Sequence, residues 1–78
     1  MQALSRTDVV RRLRGIQPEA AFTHVVLVGE QLFPVKQAYG VVTGEDRLDF
    51  NTVKARRFFR RLGFEVSRLD DEASIKHP

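Results

Sequence analysis

Between Phe50 and Phe64 the chain reads FNTVKARRFFRRLGF, five cations and four phenylalanines in fifteen residues. The chemistry such cations offer is the binding of anions, and guanidinium groups in particular grip phosphate and carboxylate bidentately. At about 100° per residue, Lys54, Arg56, Arg57, Arg60 and Arg61 fall within an arc of about 160°. Ala55, Phe58, Phe59 and Leu62 take the opposite side. No acid lies between Thr52 and Leu62, and Arg56 with Arg60 and Arg57 with Arg61 are like-charge pairs at i,i+4, which repel by a few tenths of a kcal/mol. An ordinary solvated face mixes its signs. The unmixed face therefore points to an anionic partner, with an uncommitted solvated face as the alternative.

Lys36 is the second unusual cation. It follows Pro34 in the first turn of a predicted helix, where the macrodipole disfavours positive charge by roughly 0.3 to 1 kcal/mol. Either it completes an anion site at a helix start, or its stem covers apolar surface while its amine reaches water.

Other chemistries find little support. His24 and His77 stand apart from other His, Asp or Glu at ligand spacing, so no metal site is expected. The glycine of VVTGED lacks the Gly-Lys-Ser/Thr of a phosphate-cradling loop, and Ser5, Ser67 and Ser74 have no recognisable base partner. Asp70, Asp71 and Glu72 are adjacent on a polar tail, where solvation explains them. A binding module is expected rather than an enzyme, with no catalytic residues and no cofactor.

The elements that must position these cations can be read from caps and periodicity. SRTDVVRRLRG starts with Ser5, has Asp8 three residues on and ends at Gly15, predicting a capped helix whose Val9, Val10, Leu13 and Ile16 share an arc of about 120°. FTHVVLV reads as a buried strand, Gly29-Glu30 as a two-residue hairpin turn and QLF as the return strand. A second helix is expected over residues 34–43, stopped by Gly44, followed by a polar connection, GEDRLD. A third, capped by Asp49 or Asn51, runs to about Leu62 and stops at Gly63. FEVSRL alternates as a last strand able to join the hairpin. The expected fold is α+β, in the order helix, strand, strand, helix, helix, strand, with the hairpin and C-terminal strand packed on the helices. Residues 1–69 are expected to form a single domain and residues 70–78 a polar, flexible tail.

Composition sets the outer bounds. Seventy-eight residues, 42% of them hydrophobic and 29% charged, suit one small folded domain near the lower size limit for a self-sufficient core. A homodimer is one way for so short a chain to bury more surface. Cysteine is absent, which excludes disulfides and thiolate chemistry and fits a reducing compartment. Neither a spanning segment nor a signal-peptide core is present in the sequence, so a cytoplasmic location and no membrane partner are expected. The net charge of +3 conceals an asymmetry: 11 Lys or Arg against 6 Asp or Glu through Leu62, then 2 against 4. Ten of the thirteen cations are Arg, from selection for phosphate contacts or from codon usage in a GC-rich genome.

The run LVGEQLFPVKQAYGVVTGEDRLDFNTVKARRFFRRLGFEV resembles the N-terminal head domain of McrA-type modification-dependent restriction endonucleases, where a short hairpin leads into a Tyr-Pro-x-Lys-like helix start and the domain closes on a Leu-Gly-Phe-x-Val strand. The matching residues here are Phe33, Pro34 and Lys36, then Asp49 and Phe50, then Leu62, Gly63, Phe64 and Val66. The resemblance implies an accessory DNA-associated domain with Lys36 as a motif residue. No HNH nuclease, methyl-base reader or sulfur-recognition domain accompanies it, so cleavage and modified-base readout do not transfer.

Charge map and resemblance lead to one expectation: a small regulator or restriction-modification accessory that binds duplex DNA through phosphates with Lys36, Lys54, Arg56, Arg57, Arg60 and Arg61. The alternative is an adaptor whose Arg face meets an acidic protein. RNA is disfavoured because the phenylalanines that could stack on bases face the core.

Overall fold

In the computed structural model, residues 4–20 and 23–69 are described. The polar tail expected over residues 70–78 lies outside them. Seven elements follow in order: α1 (Arg6–Leu13), β1 (His24–Val28), β2 (Gln31–Pro34), α2 (Val35–Thr43), a 3-10 turn (Arg47–Asp49), α3 (Thr52–Arg61) and β3 (Glu65–Arg68). The α+β class and the element order are those expected. Only the 3-10 turn was hidden, inside the polar connection. Its N-cap is Asp46, whose carboxylate accepts from the Leu48 N–H, a local bond that short polar side chains make readily.

The three strands form one antiparallel sheet in the order β2-β1-β3. Val28 pairs with Gln31 across the Gly29-Glu30 turn, and Gly29 takes a φ of 64°, which suits the first position of a type II′ hairpin. Val26 pairs with Phe33 on one side and Val66 on the other, and with Val28 it faces the helices.

Ser5 and Asp8 make the expected reciprocal capping box at the start of α1. Val9 and Leu13 are buried, but Val10 is 39% exposed and falls outside the stripe expected for it. The reason is that α1 packs chiefly on α2, so its contact face is narrower than a sheet-covering helix would need. Behind α1, Val35, Ala38, Tyr39 and Val42 of α2 join Ala55 and Phe59 of α3 in the core.

A chain of edge-to-face rings fixes α3. Tyr39 meets Phe50 at 4.5 Å and Phe58 at 5.2 Å, Phe58 meets Phe59 at 5.0 Å, and Phe59 meets Phe64 at 6.0 Å. Such pairs add to area burial through ring electrostatics. The helix ends in a Schellman closure: the Phe64 N–H donates to the Phe59 carbonyl and the Gly63 N–H to that of Arg60. Gly63 takes a φ of 90°, a conformation costly for any residue with a Cβ. Its position thus fixes both the end of α3 and the entry of β3.

Candidate functional site

The six cations singled out by sequence separate into four groups in the fold. Asn51 caps α3, its side chain accepting from the Lys54 N–H, and Ala55 and Phe59 seat the helix against the core. That phase sends Arg57, Arg60 and Arg61 to the exposed side. Among the described residues, none of the three has an ion pair or a hydrogen bond, and no acid occurs within the helix.

Lys54 is exposed but paired, its amine 3.6 Å from the Glu45 carboxylate and 6.0 Å from the centre of the Tyr39 ring. The helical projection could not show this because Glu45 comes from the connection after α2. Glu45 also accepts from the Tyr39 hydroxyl at 3.1 Å. Burial, then the Glu45 hydrogen bond and charge, push the Tyr39 phenol above its ordinary pKa. Arg56 is half-buried, with its Nε shielded from solvent and lacking an acceptor. It belongs to the flank of the packed face rather than to the exposed arc.

Lys36 stands apart from the α3 arginines. It is half-buried in the first turn of α2, with its amine 5.9 Å from the Phe50 ring centre. Pro34 caps the helix without any side-chain bond. Lys36 lines a cleft whose other cationic walls are Arg47 of the 3-10 turn and Arg68 of β3. Sequence reading missed Arg47 and Arg68, since a polar connection and a strand end become neighbours of α2 only through the tertiary fold.

The first helix supplies a contrasting set of arginines. Arg6 donates to the Leu62 carbonyl at 2.9 Å and its guanidinium lies 4.4 Å from the centre of the Phe64 ring. Arg12 donates to the Val42 carbonyl. Both close carbonyl-rich C-terminal ends of other helices, the ends that attract positive charge. Their contacts span 56 and 30 residues of chain and leave no local signal.

The model of the SCO5918-like family matches residues 2–78. The chain belongs to the SCO5918-like family. No curated protein and no solved structure matches significantly. For this SCO5918-like chain, the functional reading comes from the geometry of the cations. Among the described residues, no cluster of His, Cys, Asp or Glu has the makings of a metal site, and no helix is long and apolar enough to cross a membrane.

Proposed function

We propose that this SCO5918-like chain is a non-catalytic module that binds duplex DNA through its phosphates, with Arg57, Arg60 and Arg61 as the principal contacts. The observation that carries the reading is the exposure of these three guanidinium groups on one helix, unpaired among the described residues and with no acid among them. Helical self-repulsion works against such a face, and a polyanion relieves it. Lys54 contributes less, being held by Glu45, and half-buried Arg56 serves chiefly to brace the helix. Contacts of this kind position a protein on the duplex without reading its sequence. The resemblance to restriction-endonuclease head domains points the same way and makes an accessory role in restriction or regulation, inside the cell, the natural setting.

A second reading has its own support. Val53, one helical turn before Arg57, is 54% exposed, and Leu48 in the 3-10 turn is 93% exposed. Apolar side chains beside arginines suit an acidic protein surface better than a phosphate backbone. The two readings separate in one experiment, in which duplex DNA and an acidic protein control are titrated by fluorescence anisotropy across a salt series. Saturable duplex binding that weakens steeply with salt supports the first reading. Absence of duplex binding at low salt removes it.

A further inference from the structure

The basic surface does not stop at the end of α3. Arg60 and Arg61 occupy the last turn of α3, and just beyond it Arg6 of α1 donates to the Leu62 carbonyl at 2.9 Å and lies over the Phe64 ring. The joint is tight: a Cβ on Gly63 would stand 2.9 Å from the Arg6 guanidinium. The first turn of α1 is thereby tied to the end of α3. Along α1, Arg6, Thr7, Val10, Arg11 and Arg14 border one hollow in the surface. Arg11 and Arg14 are exposed, and among the described residues neither guanidinium has a hydrogen bond or an ion pair. Asp8, the one acid of α1, is turned back to the Ser5 backbone and hydroxyl.

We propose that this side of α1 is a second contact surface for the duplex, with Arg11 and Arg14 each taking a backbone phosphate. It rests on the duplex reading of α3 and extends that reading to another helix. Charge selects the occupant: two guanidinium groups without a partner, beside the Thr7 hydroxyl, suit phosphate oxygens, to which Arg and Thr side chains both donate. Spacing allows it. From Arg6 to Arg14 the chain rises about 12 Å along the helix axis, and a duplex presents about seven phosphate charges over that length. The dipole at the C-terminal end of α1 explains why cations are tolerated there. The fold itself uses Arg6 and Arg12, on the Leu62 and Val42 carbonyls, and leaves Arg11 and Arg14 for another acceptor. Val10, 39% exposed, borders the same hollow, so a sugar-phosphate strand lying there covers an apolar side chain that the core leaves out.

Binding to a mixed-sequence duplex two helical turns long is followed by fluorescence anisotropy across a salt series, with an acidic protein as control. The chains compared are the parent, Arg11→Ala with Arg14→Ala, Arg11→Lys with Arg14→Lys, and the combination Arg57→Ala, Arg60→Ala, Arg61→Ala. The α1 alanine pair should lower the slope of log affinity against log salt by about 2 and keep the circular-dichroism spectrum of the parent. The lysine pair should hold the parent slope, since the charges remain while the guanidinium forks are lost. Equal loss of slope in the alanine and lysine pairs would count against the proposal, because charge would not then be what binds. The two readings fail separately. A parent slope in the α1 alanine pair, beside a reduced slope in the α3 combination, overturns the second contact surface and leaves the α3 reading standing. The reverse pattern keeps the α1 contacts and removes those assigned to α3. Parent slopes in both, or no duplex binding at low salt whether or not the acidic protein binds, overturn both.

Discussion

Arg6 and Arg12 leave α1 and end on the backbone of other elements, whereas Arg57, Arg60 and Arg61 leave α3 and end in solvent. The difference is one of acceptors. Arg6 and Arg12 each meet a carbonyl near the C-terminal end of a helix, Arg11 does not, and Asp8 supplies a counter-charge within α1 itself. Helix α3 contains no acid, and among the described residues its exposed arginines reach neither carbonyl nor carboxylate. Arginine enrichment in this chain therefore has two structural outcomes: part of it joins the fold together, and part stands exposed on α3, where we propose that a partner meets it. A count of charges could not separate them.

The sharpest way to break the comparison is to remove what holds α3 in phase. Phe59 is fully buried, so Phe59→Ala should cost about 3 to 5 kcal/mol, a large part of the stability of a domain this small. Thermal unfolding followed by circular dichroism should show it largely unfolded. Phe58 shares the helix but is only half-buried, and its alanine variant should lose distinctly less. Equal losses would mean that the helix is seated differently and that the exposed arginine face is not where it is drawn.

The next effects distinguish the two arginine sets. Arg6→Ala removes the bond to Leu62 and the contact with Phe64, and should cost about 1 kcal/mol of stability with duplex affinity nearly unchanged. Arg57→Ala and Arg61→Ala should do the reverse, leaving the melting temperature within error and weakening all duplex sequences alike. Each should lower the salt slope by about 1. For Lys36→Ala, stability should stay level or rise by a few tenths of a kcal/mol, because a cation leaves the positive end of α2.

The smallest effects are those of pH. Hydrogen bonds from the Ser5 backbone and side chain, aided by Arg11 and Arg12, hold the Asp8 carboxyl below its ordinary pKa. Its folded pKa is thus depressed, so its stabilising contribution is present above the unfolded value of 3.8 and is lost as pH falls through the folded value. Tyr39 behaves oppositely. With its pKa raised from 10.0, the contribution of the neutral phenol is complete below that pH and is lost as pH rises through the folded value. Chemical denaturation at stepped pH should show both slopes, and Asp8→Asn should remove the acid one.

Much of the fold was legible because its signals are local. Ser5 with Asp8, Gly29, Gly44, Asn51 and Gly63 mark starts, turns and stops within a few residues, and each does so in the structure. The α3 arginine face was legible for the same reason, as Ala55 and Phe59 set its phase. The rest depends on distant partners. Nothing near Lys54 announces Glu45 as its counter-ion, nothing near Arg12 announces the Val42 carbonyl, and the side-by-side placement of Lys36, Arg47 and Arg68 requires the whole chain to fold. Val10 and Phe58 show the limit within helices: periodicity gives the direction of a side chain, while its burial depends on the width of the surface it meets.

The most direct test of the central claim compares the salt dependence of duplex binding by the parent chain, by Arg57→Ala, Arg60→Ala, Arg61→Ala combined, and by Arg6→Ala. If α3 is the phosphate-binding face, the combined variant should lose about 3 from the slope of log affinity against log salt and retain its fold, while Arg6→Ala should keep the parent slope at reduced stability. Equal slopes for the parent and the combined variant would contradict the account and return the exposed arginines to solvent.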